Sequence, residues 1–267
     1  MMNKKVRIST LLKRKTDGIK ITALTAYDYT FAYLIDEAGV DVILVGDSCG
    51  NVCAGYETTL PVTMDEMIYH TRSVRQGVKR ALLVADMPFM SYQEQLDEGL
   101  RNAGRLMKEG GAEAVKVEGG EPVCQTVQRM VTVGIPVMGH LGFTPQSVHE
   151  FGGYGVRGRD SAEAEKMKRD ALALQDAGIF ALVLEKVPAQ LAKEISEMLT
   201  IPTIGIGAGP HCDGQILVSY DMLGLYDKVR IKFVRQYTNL AEQVRTAVKQ
   251  YCQDVIEVNF PKQEESY

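Results

Sequence analysis

Four acidic residues each close an apolar run: Asp47 in VDVILVGD, Asp86 in ALLVAD, Glu118 in AEAVKVE and Glu185 in IFALVLE. A carboxylate in that place sits where a strand leaves its sheet, and four such endings converge on one rim if the strands run parallel. Hard oxygen donors of this kind suit Mg²⁺, Mn²⁺ or Ca²⁺ better than a soft metal. Taken singly, each acid is as well explained by a helix N-cap or a loop turn. Four at equivalent places point instead to a metal and acid–base site.

Lys116 lies two residues before Glu118 inside the same run, so the two side chains share a face. A buried ammonium has to be paired, and Glu118 or Asp86 can supply the partner. Flanked by carboxylates, it should stay protonated, which favours an electrostatic role toward a substrate carboxylate or an enolate oxygen over Schiff-base chemistry. Glu185 has only Lys186 as a cation nearby in sequence, and on a strand that side chain points the other way. Desolvation would raise the pKa of Glu185 and suit it to general-base work. His140, at the end of PVMGH, reads equally as a donor to a ligand and as a histidine satisfied by a neighbouring side chain. His70, inside an amphipathic helix, reads as structural or surface.

The elements that must hold these residues recur along the chain. EAGVDVILVGD (37–47), EGGAEAVKVE (109–118) and DAGIFALVLE (176–185) each carry a glycine suited to ending a helix, then a buried strand, then a polar loop. Strands are expected at about 20–25, 40–46, 80–85, 113–117, 135–139, 179–184, 201–206 and 215–219. Their nearly continuous apolarity suits parallel strands covered on both faces. Helix patterns separate most of them, at 63–77, 92–109, 121–133, 161–177 and 188–199, and Thr63 with Glu66 forms a capping box. Strands alternating with helices, without a composition break, favour a closed (β/α)8 TIM barrel of the α/β class over an open doubly wound sheet. GIGAG at 205–209 is a weak dinucleotide fingerprint because no convincing helix follows it. In a barrel, the acids, Lys116 and His140 fall at the C-terminal rim of strands two to six, where such enzymes do their chemistry. The loop 142–160 has five glycines and no apolar periodicity, the marks of a lid.

Composition excludes several classes. A net charge of −4 gives no electrostatic reason to bind nucleic acid. No apolar run approaches the roughly 18 residues of a membrane span, and the basic N-terminus lacks the apolar stretch of a secretory signal, so the cytoplasm is the expected location. The five cysteines are scattered and odd in number, against a disulfide framework. Cys49 and Cys53 have C-x3-C spacing but no second ligand pair, and read as free thiols rather than zinc ligands.

Longer segments match a known pattern. KITALTAYD (20–28), VDVILVGDS (40–48), TLPVTMDEMIYHTRSV (59–74), VADMPFMSY (84–92), AVKVEGG (114–120), MGHLGFTPQSV (138–148), LVLEKVP (182–188) and IPTIGIGAGPHCDGQILV (201–218) together resemble the ketopantoate hydroxymethyltransferase family. The resemblance implies a (β/α)8 barrel of the phosphoenolpyruvate/pyruvate-type superfamily, here one domain over 1–267 with an N-terminal extension to about 19 and a C-terminal tail from about 254. It implies Mg²⁺, with 5,10-methylenetetrahydrofolate as one-carbon donor to 3-methyl-2-oxobutanoate, giving 2-dehydropantoate in the first step of pantothenate synthesis. Asp47, Asp86 and Glu118 match the metal positions. Asp47, Ser48, Asp86 and Lys116 match contacts to the 2-oxo acid, to which His140 is added, and Glu185 matches the proton acceptor. The family's partners are small molecules and further copies of itself, typically in a decamer. Two positions depart from its usual pattern: Gly155 where lysine is frequent, and Tyr220 where histidine is common. The main rival is a Mg²⁺-dependent lyase or mutase of the phosphoenolpyruvate mutase and isocitrate lyase type, against which the loop 142–160 lacks a cysteine. The other rival is a catalytically silent oligomeric or folate-binding barrel, which the joint presence of the acids and Lys116 disfavours.

Overall fold

A computed structural model describes residues 4–267. It begins with helix α1 (Ile8–Thr16), and then strands and helices alternate. The order is β1 (Ile21–Thr25), α2 (Tyr29–Glu37), β2 (Val42–Val45), α3 (Cys49–Val52), α4 (Met64–Gly77), β3 (Leu82–Asp86), α5 (Leu96–Lys108), β4 (Ala114–Glu118), α6 (Cys124–Thr132), β5 (Val137–Gly142), α7 (Ser161–Asp176), β6 (Ala181–Glu185), α8 (Ala189–Met198), β7 (Thr203–Ile206) and β8 (Gly214–Leu217). Each strand pairs in parallel with the next, and β8 returns to β1, so the described strands form a closed eight-stranded barrel. Fold class and strand positions agree with the sequence expectation to within a residue or two at most ends.

Local chemistry accounts for the alternation. VILV of β2 and LLVAD of β3 are buried at every position, because helices cover their outer face and the barrel interior covers the other. The glycines ending helices, such as Gly39 and Gly178, adopt φ of +89° and +99°, a left-handed turn that a residue without a Cβ makes without strain. Helix α4 starts on the expected capping box: Glu66 N–H donates to Thr63 Oγ1 at 3.2 Å, and Thr63 N–H to Glu66 Oε2 at 2.7 Å.

The N-terminal segment closes the end of the barrel away from the acidic rim. Lys5 donates to Ala81 O and to Glu113, Arg14 to Asp41, and Lys15 to Ser196 O and Asp213. Ala81, Glu113, Asp41 and Asp213 stand just before β3, β4, β2 and β8, so Lys5 and helix α1 together tie the starts of four strands. The chain forms two compact units, one ending at Val218 and one from Ser219 to Tyr267. The second holds α9 (Ser219–Met222) and α10 (Leu240–Ile256), in which Ala241 is buried while Val244, Val248, Tyr251 and Val255 are exposed. No helix among the described residues is long and apolar enough to cross a membrane.

Candidate active site

Strand register gathers the chemistry on one face. Asp86 of β3 is level with Lys116 of β4, Glu118 of β4 with His140 of β5, and Gly142 of β5 with Glu185 of β6. Register partners on parallel strands point to the same side, and residues two apart on one strand do so as well. Asp86, Lys116, Glu118, His140 and Glu185 therefore climb one wall of the barrel interior. Asp47 joins from the turn after β2, where its N–H donates to Asp86 Oδ2 at 3.1 Å. Ser48 follows, its Oγ 2.8 Å from the hydroxyl of buried Tyr27. The structure thus brings every expected site residue to the same rim.

Lys116 sits at the centre. Its Nζ is 3.1 Å from Asp86 Oδ1, 3.6 Å from Glu118 Oε1 and 3.0 Å from His140 Nδ1. Asp47, Asp86, Lys116, Glu118 and His140 are all buried, between 2 % and 6 % exposed. Burial works against the Lys116 ammonium, but Asp86, Glu118 and Asp47 outweigh it and hold the amine above the ordinary lysine value. Burial, reinforced by the like charges of Asp86 and Glu118, pushes the Asp47 carboxyl well up. Burial also raises Asp86, with Lys116 opposing. Glu118 resists burial and lies below its usual range because Lys116 and His140 favour its charge.

His140 faces opposing demands. Burial and Lys116 disfavour its protonated form, yet bonding to Glu118 and Glu185 holds it above the ordinary histidine value. Nδ1 is 3.2 Å from Glu118 Oε1, and Nε2 is 3.5 Å from Glu185 Oε2. The ring therefore bridges the acidic cluster to Glu185. Glu185 is wetter than the sequence suggested, its side chain 15 % exposed, because it stands on the outermost step of the rim. Lys186 turns aside through a left-handed φ of +48°, and its ammonium lies over the rings of Phe143 and Tyr154.

Each of the three clustered carboxylates has one oxygen held by the chain itself. Gln146 Nε2 donates to Asp47 Oδ2 at 2.9 Å, Asp47 N–H to Asp86 Oδ2, and Gln146 N–H to Glu118 Oε2 at 3.0 Å. The other oxygens of Asp86 and Glu118 are buried and accept no well-aligned hydrogen bond, although Lys116 is near enough to attract both. Among the described residues, no three His, Cys, Asp or Glu side chains converge as a ready-made cage. Mg²⁺ seldom requires one, since it retains waters and takes one or two carboxylates together with substrate oxygens. Excess buried negative charge, with hard oxygens left over, fits such a cation. Cys49 is buried with its thiol 3.8 Å from the Met67 sulfur, whereas Cys53 is exposed, so the pair occupies two different environments.

The early part of the loop 142–160 is a wall rather than a lid. Phe143, Thr144, Gln146 and Val148 are buried, and a 3₁₀ turn at Pro145–Ser147 carries Gln146 into the acidic cluster. Sequence reasoning missed Gln146, and also Tyr92, whose hydroxyl accepts from Glu118 N–H at 2.9 Å. Neither lies on a periodic element. Both fall inside the family-like segments MGHLGFTPQSV and VADMPFMSY, but nothing in their spacing marks them as facing the acids.

A family model described as ketopantoate hydroxymethyltransferase matches residues 5–263. The chain belongs to the ketopantoate hydroxymethyltransferase family. Relatives named 3-methyl-2-oxobutanoate hydroxymethyltransferase include one from Chlorobium phaeobacteroides, 56 % identical over 96 % of this chain and 94 % of its own length. Another, from Moorella thermoacetica, is 56 % identical over 98 % of both chains, and that of Syntrophotalea carbinolica is 54 % identical over the full length of both. Among solved structures, 2,3-dimethylmalate lyase superposes with a TM-score of 0.63 at 15 % identity, covering 97 % of this chain and 91 % of that one. A putative phosphonomutase from Burkholderia cenocepacia gives 0.65 at 11 % identity, over 82 % and 96 %. At such identities, these structures establish the shared barrel fold of this ketopantoate hydroxymethyltransferase family member and nothing about its substrate.

Proposed function

We propose that the chain transfers a hydroxymethyl group from 5,10-methylenetetrahydrofolate to 3-methyl-2-oxobutanoate, forming 2-dehydropantoate as the first step of pantothenate synthesis. The observation that carries this reading is the wall of Asp86, Lys116, Glu118, His140 and Glu185, in which an ammonium and a wetter carboxylate share one face. The new C–C bond must form at C3 of the 2-oxo acid, and that carbon first has to lose a proton. Glu185, at the wetter edge and in reach of His140 Nε2, is the proton acceptor. Lys116, held protonated by its carboxylate neighbours, faces the negative charge that develops on the keto oxygen or stays on the substrate carboxylate. Ser48 and His140 border the same space and are assigned as further substrate contacts. Asp47, Asp86 and Glu118 are assigned to hold Mg²⁺, through the oxygens their hydrogen bonds leave over. When bound, the ion supplies Lewis-acid polarisation of the chelating 2-oxo acid.

The test is exchange of the substrate's C3 proton in D₂O, followed by NMR with Mg²⁺ and 3-methyl-2-oxobutanoate. Wild-type protein should exchange it, and Glu185→Gln should lose exchange by ~10²-fold or more while keeping its metal affinity. A wild-type protein inert with and without tetrahydrofolate would sink the reading, and normal exchange by Glu185→Gln would remove that residue as the base.

We further propose that the protein is cytoplasmic and works as a homo-oligomer, a decamer by family resemblance. The exposed apolar stripe of α10 supports a face covered by another subunit. Light scattering after size exclusion should give a mass several times the 29.5 kDa of one chain.

A further inference from the structure

Gln146 stands out because both N–H groups of its side-chain amide donate and its oxygen has two donors within reach. Nε2 donates to Asp47 Oδ2 and to Met87 O, each at 2.9 Å. Oε1 receives Gln93 Nε2 at 3.0 Å and lies 3.0 Å from the Tyr92 hydroxyl. That hydroxyl has a single proton to share between Gln146 Oε1 and Glu118 O, which is 3.1 Å away. A primary amide offers two N–H donors and two acceptor lone pairs, so both donors and at least one lone pair of this side chain are engaged within the protein. Three contacts also fix which way round it lies: Gln93 Nε2 donates to Oε1, while Asp47 Oδ2 and Met87 O accept from Nε2. A flipped amide would lose all three, whereas the Tyr92 hydroxyl can serve either orientation.

The main chain of the same residue adds a second hold, with Gln146 N–H on Glu118 Oε2 at 3.0 Å. Pro145 sets the φ that opens the turn presenting it. One residue thereby restrains carboxylates from the turn after β2 and from the end of β4, which belong to separate strands and repel one another. In each case it occupies a single oxygen. A carboxylate free to rotate would offer its oxygens to a cation in many geometries, at a cost in entropy on binding. A carboxylate pinned by one oxygen presents the other in a fixed direction.

We propose that Gln146 is a positioning residue for divalent-cation binding, aiming the second oxygens of Asp47 and Glu118 into the site. This rests on the assignment of Asp47, Asp86 and Glu118 as cation ligands. Gln146 itself touches neither cation nor substrate. Its carboxamide acts through Asp47, and Gln93 and Tyr92 act in turn by orienting the carboxamide.

The experiment measures Mn²⁺ affinity in the absence of substrate, by paramagnetic resonance of the free ion and by calorimetry. It compares wild type, Gln146→Met and Gln93→Ala at a temperature where circular dichroism shows each to be folded. Gln146→Met keeps the length of the side chain and removes its amide, and should weaken Mn²⁺ binding by about 10-fold or more. Gln93→Ala removes one donor to Oε1 from an exposed position and should weaken it by about 2–5-fold. Mn²⁺ should also raise the melting temperature of wild type more than that of Gln146→Met, because tighter binding shifts unfolding further. A residue with only a packing role would lower the melting temperature and leave the Mn²⁺ dissociation constant of the folded protein unchanged. That result in Gln146→Met overturns the proposal. Should Gln146→Met fail to fold, an unchanged constant in Gln93→Ala overturns it. If wild type itself does not take up Mn²⁺, the cation assignment falls and the positioning role falls with it, an outcome visible in the wild-type arm alone.

Discussion

Asp47 shows how the site trades stability for chemistry. Its carboxyl is pushed well above the ordinary 3.8 by burial and by Asp86 and Glu118. A carboxyl whose folded value is raised favours the fold in its neutral form, an advantage present at low pH and lost as pH rises through the folded value. Metal-free protein should therefore lose stability as pH climbs above the ordinary carboxylate range, and added Mg²⁺ should restore it. Asp47→Asn keeps an acceptor for Gln146 Nε2 and removes the charge. The variant should melt about 2–5 °C higher than metal-free wild type near pH 8, and its melting temperature should no longer respond to Mg²⁺. Differential scanning calorimetry with and without the ion checks both. Much of this cluster was legible in the sequence, since acids ending apolar runs and a lysine two residues from a glutamate are local patterns. Gln146 was not legible, because its role depends on a turn that brings residues 99 positions apart together.

At the level of elements, the β5–β6 pair is the tightest joint in the site. Gly142 has φ of +94°, and a Cβ there would lie 2.2 Å from Glu185 O and 2.6 Å from Val187 Cγ2. Gly142→Ala would have to push the end of β6 away, shifting Glu185 relative to His140. Proton exchange at C3 should fall by about 10²-fold, with substrate affinity much less affected, a separation that exchange kinetics and calorimetry resolve. By contrast, Thr63→Ala breaks the cap of α4 on the outside of the barrel and should cost about 1 kcal/mol in urea unfolding with catalysis intact. Strands and caps were read correctly because burial on both faces and the Thr63–Glu66 pair are signals carried within a few residues. Helix α1 was not placed, since its fixing contacts run from Lys15 to Asp213 and from Arg14 to Asp41. The buried start of the loop 142–160 was hidden for a similar reason: its glycines are visible in sequence, whereas the burial of Phe143 and Gln146 depends on the neighbouring strands.

Across the whole barrel the two ends have different duties. At the start of β2, Asp41 is buried and takes Arg14 on one oxygen at 2.5 Å and Arg80 on the other at 2.9 Å. Asp41→Asn would leave two cations short of a partner, and should cost about 2–3 kcal/mol because both arginines keep some solvent contact. Folded Asp41→Asn should retain wild-type turnover, since this cluster lies at the opposite end of the strands from Glu185. Urea denaturation and steady-state assays separate the two effects.

The staircase of paired residues, Asp86 with Lys116, Glu118 with His140, and Gly142 with Glu185, has a consequence for how this molecule can change length. One residue inserted into β3, β4, β5 or β6 reverses the direction of everything beyond it and turns a reactive group outward among the helices. The same residue inserted in the exposed stretch around Gly152–Gly155 moves none of the steps. A library of single-codon insertions should therefore divide sharply, with strands intolerant along their whole length and the outer loops permissive. Drift in such a lineage would accumulate as longer loops around a barrel whose strands never grow.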